Sequence, residues 1–245
     1  MQRYFVDNSQ ISLPYINISG DDCHHISVVM RMKVSDLVYI SNQEQSFVCE
    51  IVNIDKIQVT LKVVETLNEE KELPFNVCIA HGLVRREKME EVIDYITELG
   101  ASSYLPVVMS RSIVKINNEQ LDKKLTRLNK IAKEAAEQSH RLKIMNVLKT
   151  ASWKEFLEYA KSFDLCLYAY EASSKDDSLK QILRSREFKN ILVLVGPEGG
   201  ISDKEKQTLD ENNFLPISLG PRILRTQVAP LYVMSALSYE WEVKE

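Results

Sequence analysis

Two hydrophobic rhythms divide this chain. Up to residue 70 the apolar side chains gather in short β-branched runs: Asp36-Leu-Val-Tyr-Ile-Ser41, Ser46-Phe-Val-Cys-Glu-Ile-Val52 and Ile57-Gln-Val-Thr-Leu-Lys-Val-Val64. Two of them alternate apolar with polar, the period of a strand with one buried face. Polar turns at 42–45 and 53–56 separate them, and strands at such close spacing predict a small β-barrel. One short helix precedes them, opening at Gly20-Asp21-Asp22 and running through His24, His25 and Val28 towards Arg31. The polar stretch Asn68-Glu-Glu-Lys-Glu72, followed by Pro74, reads as a bridge and sets the domain boundaries at 1–72 and 73–245.

From Phe75 the rhythm alternates between strand and helix. Phe75–Ala80 is a predicted strand. Arg86–Leu99 is a predicted helix with Met89, Val92, Ile93, Ile96 and Leu99 as its apolar stripe and Gly100 as its stop. A strand at Tyr104–Val108 precedes a long helix over Glu119–His140, with Leu121, Leu125, Leu128, Ile131, Ala132 and Ala135 inward. Capping boxes at Ser152-x-x-Glu155 and Ser202-x-x-Glu205 announce two more helices. Strands at Leu165–Ala169, Ile191–Val195 and Leu215–Leu219 alternate with them. An amphipathic helix from about Gln227, with Met234, Leu237 and Trp241 on one face, closes the chain. The sum is an α/β domain with a largely parallel sheet behind a β-rich one, α+β overall.

Composition narrows the class without changing this picture. The 245 residues are 44% hydrophobic and 27% charged, which excludes a disordered, collagenous or coiled-coil chain. The longest clean apolar run, Ile191–Val195, is far short of a membrane span, and the first residues lack an export pattern, so a cytoplasmic protein is expected. Four cysteines, none in a C-x-x-C, fit small buried thiols rather than a disulfide framework, and no metal site is expected. Charge is uneven. The net charge is −4, yet residues 111–149 hold ten Lys/Arg against four Asp/Glu, while 1–75 hold six against eleven. Such a basic segment is either a solvated helix face or a footprint for phosphate. Lys123, Lys124, Arg127 and Lys130 share its outward side.

The chain has only seven glycines, and three fall within Val195-Gly-Pro-Glu-Gly-Gly200, directly after the most hydrophobic strand and before a capped helix. In an open α/β sheet that is where ligands bind. The loop fits neither the dinucleotide nor the P-loop pattern. Leu219-Gly-Pro-Arg-Ile-Leu-Arg225 has the same setting after the next strand, and the two could wall one pocket, with Arg222 and Arg225 available to an anion.

These two loops resemble the signatures of the RsmE family, the ribosomal RNA small subunit methyltransferase E enzymes of the SPOUT class. The resemblance runs the length of the chain through Arg3-Tyr-Phe, His24-His25, Arg31-Met-Lys-Val-Ser-Asp36, Glu98-Leu-Gly100, Ser110-Arg-Ser112 and Glu134-Ala-Ala-Glu-Gln-Ser139 with Arg141. It implies an N-terminal PUA-like RNA-binding barrel, a C-terminal SPOUT domain with a deep trefoil knot, and a homodimer. The implied cofactor is S-adenosylmethionine (SAM), held by Leu194, Gly196, Pro197, Glu198, Gly199, Leu219, Gly220, Ile223 and Leu224. The implied product is N3-methyluridine at position 1498 of 16S rRNA in the small ribosomal subunit, with Arg3, Arg31, Arg111, Lys123, Lys124, Arg127, Arg141 and Arg222 as RNA contacts.

Uracil N3 must lose a proton before or during methyl transfer, so a base or a cation stabilising the anion is required. Arg225 is the expected cation. Glu198 is the second catalytic candidate, able to take a proton, to hold the cofactor's ammonium, or merely to cap its own loop. No residue declares itself the base. Where the family pattern reads R-T-E-T-A this chain has Arg225-Thr-Gln-Val-Ala229, and Tyr95 and Met145 replace its usual Lys and Pro. The loss of that glutamate leaves room for other readings: a SPOUT enzyme with a different RNA target, an RNA-binding assembly factor with weak or lost catalysis, or a cofactor-responsive regulator.

Overall fold

The computed structural model describes residues 1–114, 121–171, 179–184 and 187–243. They divide into two compact units. One comprises 1–72 together with 136–144, the other 73–135 and 145–245.

The first unit is a six-stranded, curled sheet. Its strands are β1 (Arg3–Phe5), β2 (Ile11–Ser12), β3 (Tyr15–Ser19), β4 (Leu37–Ser41), β5 (Ser46–Ile54) and β6 (Gln58–Leu67), in spatial order β1-β4-β5-β6-β3-β2. Only β1–β4 is parallel. Two register shifts in β5, at Val48/Cys49 and Ile51/Asn53, are bulges of the kind that bend a sheet around its own core. Alternate residues point inward as the sequence predicts: Val38 and Ile40, Cys49 and Ile51, Val59 and Leu61 are fully buried. The predicted helix is α1 (Gly20–His24), extended by a π turn at His25–Val29 that places Ile26 in the core. The second and third predicted strands lengthen, the first loses Asp36, and β1, β2 and β3 are additions.

The second unit alternates as predicted, with β9 and α5 as additions: β7 (Asn76–Gly82), α2 (Arg86–Glu98), β8 (Ser103–Val107), α3 (Leu121–Gln138), β9 (Asn146–Val147), α4 (Trp153–Ala160), β10 (Leu165–Ala169), α5 (Leu179–Arg184), β11 (Asn190–Val195), α6 (Asp203–Glu211), β12 (Leu215–Ile217) and α7 (Val228–Glu242). The start expected for the long helix at Glu119 lies outside the described residues. All strand pairs in this sheet are parallel, in the order β12-β10-β11-β7-β8-β9. Both predicted capping boxes form, Ser152 and Ser202 each accepting from the glutamate backbone three residues on. The closing helix departs from expectation. Val233, Met234 and Leu237 are buried, but Val228, Tyr232 and Tyr239 leave apolar side chains on its open side, so α7 is apolar on more than one face.

Strand order decides where a ligand can sit. From β7 the chain moves to β8 on one side, whereas from β11, its neighbour, it moves past β10 to β12 on the other. The carboxyl ends of β7 and β11 therefore flank the switch point of the sheet, the crevice open α/β folds use.

Candidate functional site at the switch point

The Gly196–Gly200 loop leaves β11 at this crevice and is shaped by close packing. A Cβ on Gly82, the last residue of β7, would lie 2.9 Å from Met109 Sδ and nearer still to the Pro197 ring. A Cβ on Gly199 would fall 2.8 Å from Arg111 Cβ. Gly200 has φ +70°, the left-handed region where glycine carries no Cβ penalty, and its N–H donates to Pro197 O at 2.8 Å. These glycines serve contact and turn geometry within the protein itself.

Two braces hold the loop, and sequence reasoning found neither. Arg111 donates through one guanidinium nitrogen to the carbonyls of Gly199 and Ile201, both at 3.2 Å. Glu205, buried in the first turn of α6, accepts from the backbone N–H groups of Ser110 (2.7 Å) and Ser202 (2.9 Å) and from the Ser202 hydroxyl (2.7 Å). Burial pulls its carboxyl up, but these donors hold it below the ordinary glutamate value. The Ser110-Arg-Ser112 segment is thus a clamp on the glycine loop. Its signal in the sequence was the capping glutamate itself, which has one oxygen left after capping.

Glu198 forms an ion pair with Lys88 of α2 at 2.8 Å. Partial burial raises its carboxyl, yet the Lys88 ammonium and its own backbone N–H bring it below the usual value. Of the three roles open to it, this geometry describes an anchored, ionised carboxylate that ties the loop to α2.

The second loop is the open wall. Gly220 has φ +96° with nothing within 4 Å of a built Cβ, Arg222 and Arg225 are exposed, and Ile223 is 83% exposed. It closes onto the first loop at Thr226. The Thr226 hydroxyl donates to Gly196 O at 2.7 Å and meets His81 Nε2 at 2.8 Å, while His81 Nδ1 meets the Tyr104 hydroxyl at 2.9 Å. His81 and Tyr104 are fully buried, and burial pushes the imidazole down to about 4. The sequence offered a hint in Val77-Cys-Ile-Ala-His81: a polar side chain ending a central apolar strand must find partners. Leu194 is buried in the sheet core two residues before the loop, and Leu219 and Leu224 are half-buried. The structure thus ties the segment carrying Leu219, Gly220, Ile223 and Leu224 to the one carrying Leu194, Gly196, Pro197, Glu198 and Gly199 through the Thr226 hydroxyl on Gly196 O.

The cations scatter. Arg127 is exposed but held by both Glu90 oxygens, at 2.6 and 3.0 Å, and Lys124 is exposed on the same helix. Lys123 lies on α3, but its side chain is outside the described part. Arg31 is exposed in the first unit with φ +53°. Arg3 and Arg141 are placed differently from the expectation of RNA contact. Arg3 is 1% exposed, paired with Glu69 at 2.5 Å, and donates to Arg141 O at 3.0 Å. Arg141 is 3% exposed and paired with Glu72. Both guanidinium groups are enclosed by carboxylates of their own unit, which sequence proximity could not reveal.

Comparison with known proteins matches this geometry. The family described as RNA methyltransferase domain matches residues 71–238, and the RNA methyltransferase PUA domain matches 18–64. The chain is 39% identical to a Bacillus subtilis protein named ribosomal RNA small subunit methyltransferase E, over 99% of this chain and 98% of that one. A protein of the same name from Synechocystis is 29% identical over 96% and 77%. Among solved structures, a Legionella pneumophila methyltransferase with bound SAM superposes with TM-score 0.86 at 28% identity, covering 97% of each chain. A ribosomal RNA small subunit methyltransferase E from Neisseria gonorrhoeae superposes with TM-score 0.89 at 24% identity, covering 98% of each, and shares the fold.

Proposed function

The chain belongs to the ribosomal RNA small subunit methyltransferase E family, and from that premise we propose that it methylates N3 of a uridine in small-subunit rRNA, the position corresponding to 1498 of 16S rRNA, using SAM. The observation that carries the reading is the meeting of the two Gly-Pro loops at the switch point, with Thr226 bonded to the Gly196 carbonyl.

The residues present fit the cofactor. Backbone on the Gly220 side is open, an exposed Ile223 stands three residues on, and the Gly196–Gly199 backbone is held rigid opposite. Backbone N–H and C=O groups of 194–199 and 219–224 would take its polar groups and Ile223 and Leu224 its apolar face. When bound, SAM supplies an electrophilic methyl group on sulfonium. Rate then rests on positioning and on stabilising the uracil anion. Arg225, exposed beside this wall, is assigned to that anion. Glu198, ion-paired with Lys88, is a weak base, and its role is to anchor the loop.

The first unit is assigned RNA binding, with Arg31 as a contact. In the second unit, Lys123, Lys124, Arg127 and Arg222 are assigned to phosphate, Arg127 by exchanging Glu90 for the RNA backbone. The apolar open side of α7, with Val228, Tyr232 and Tyr239, supports a homodimer, and the knotted C-terminal domain is assigned on family membership. No described helix is long and apolar enough to cross a membrane, and a ribosomal substrate places the work in the cytoplasm.

The test is methyl transfer from labelled SAM to small subunits lacking the modification, with mass-spectrometric identification of the nucleoside. N3-methyluridine is expected. Another methylated nucleoside would move the target, and no product with SAM still bound would replace the enzyme with an RNA-binding assembly factor.

A further inference from the structure

The three-residue network behind the loops contains enough contacts to fix every proton in it. Gly196 O is a carbonyl and donates nothing, so the Thr226 hydroxyl proton must point at it across 2.7 Å. Thr226 Oγ1 then has only lone pairs to offer His81 Nε2 at 2.8 Å, and Nε2 must carry the hydrogen. With Nε2 protonated and the ring neutral, Nδ1 is bare and accepts from the Tyr104 hydroxyl at 2.9 Å. The chain of donation has one direction: Tyr104 to His81, His81 to Thr226, Thr226 to Gly196 O. Burial supports the neutral ring, pushing the imidazole down to about 4, and it holds the Tyr104 phenol protonated by moving its ionisation well above the usual range.

The three residues belong to different parts of the chain. His81 is on β7 and Tyr104 on β8, and Thr226 closes the second loop just before α7. His81 pairs in register with Val195, the last residue before the first loop. The network is therefore the link by which the central strands locate one loop against the other.

We propose that His81 is a positioning residue for the cofactor site: fixed as the Nε2–H tautomer by Tyr104, it holds Thr226 on the Gly196 carbonyl and so sets the spacing between the two loops. This rests on the reading that these loops hold SAM. His81 touches neither cofactor nor RNA and acts through Thr226. A directed bond matters here because a loop exposed at Arg222, Ile223 and Arg225 has little packing of its own to define where it sits.

Two measurements test it. Nitrogen-15 NMR of the imidazoles, of which the chain has four, reports the tautomer without any ligand. His81 is expected to show a protonated Nε2 and a bare Nδ1, and Tyr104→Phe is expected to disturb that pattern. An Nδ1–H tautomer in the wild type would overturn the proposal. Calorimetric titration of the full-length protein with SAM reports the loop spacing. Thr226→Val, which keeps the shape and removes the hydroxyl, is expected to weaken binding and raise KM for SAM roughly ten-fold, with kcat at saturating SAM changed far less. Thr226→Ser, which restores the hydroxyl, is expected to return affinity to within about two-fold of wild type, well inside a single hydrogen bond's worth. Unchanged affinity in Thr226→Val, or an equal loss in Thr226→Ser, would overturn the proposal while wild-type binding kept the cofactor reading intact. No SAM binding by the wild type would instead sink the cofactor reading, and the proposal with it.

Discussion

Replacing Glu72 with glutamine tests whether the second arginine of the RNA-contact expectation is a structural ion. Arg141 is 3% exposed, and Glu72 is the carboxylate that faces it. One Glu72 oxygen also accepts from the backbone N–H groups of Leu142 at 3.1 Å and Lys143 at 3.0 Å. Glutamine keeps one acceptor for those two N–H groups, while its NH2 takes the place of the oxygen that accepts from Arg141, so the charge and that acceptor are both lost. Breaking a buried pair from one side costs about 3–5 kcal/mol, because the remaining ion stays desolvated. The lower end applies, since the Glu72 side chain is 19% exposed and water can partly replace it. A loss of about 3 kcal/mol at a urea slope of ~1–3 kcal/mol/M lowers the midpoint of the first unit by about 1–3 M. The assay is far-ultraviolet circular dichroism, because both tryptophans, Trp153 and Trp241, lie in the second unit and report a different transition. Hydrogen exchange at the Leu142 and Lys143 amides should rise in parallel. Arg141→Leu is the companion variant. It should shift the same transition while leaving the salt dependence of rRNA binding unaltered. An unshifted midpoint in both variants, with a salt slope reduced by about one in Arg141→Leu, would refute the structural account and return Arg141 to the RNA.

Three further outcomes are expected. His81 is held neutral with its folded value near 4 against 6.5 unfolded, burial being the cause and the Glu198 charge only partly offsetting it. The unfolded chain therefore binds the extra proton first. Stability present above pH 6.5 is lost as pH falls towards 4, by about 3 kcal/mol, and His81→Gln should flatten that part of the midpoint-versus-pH curve relative to wild type. Gly82→Ala drives a Cβ into Pro197 and to 2.9 Å from Met109 Sδ. It should lower stability by about 1–3 kcal/mol and weaken SAM binding, and a neutral melting temperature would show that the loop packs less tightly than described. Arg111→Lys keeps the charge but removes the guanidinium nitrogen that donates to both Gly199 O and Ile201 O. SAM affinity should fall several-fold, as loss of about one hydrogen bond implies, while rRNA affinity at fixed salt holds; the reverse pattern would make Arg111 an RNA contact alone.

Local signals carried much of the architecture. The strand periods of β4, β5 and β6, the apolar stripe of α2 and the two capping boxes are properties of neighbours in sequence, so they were legible there. The same holds for the glycine loops, because Gly-Pro punctuation after a buried strand constrains the backbone whatever surrounds it. Tyr15–Ser19 alternates too, but Pro14 and Gly20 bracket it and mask the strand signal. Arg3–Phe5 shows no alternation at all: all three residues are buried, because Arg3 finds a carboxylate on Glu69.

The family was legible from the order of the motifs, whereas the partners of individual residues were not. A charge or a buried polar atom takes its meaning from a partner that is distant in sequence. Arg141 is enclosed by Glu72, Arg111 is tied at the surface to two carbonyls about ninety residues on, and buried His81 meets a threonine 145 residues away. Sequence sets which side chains can ionise or donate. Folding sets which of them stay in water, and desolvation makes the difference between a surface arginine free to meet phosphate and one that holds a domain together.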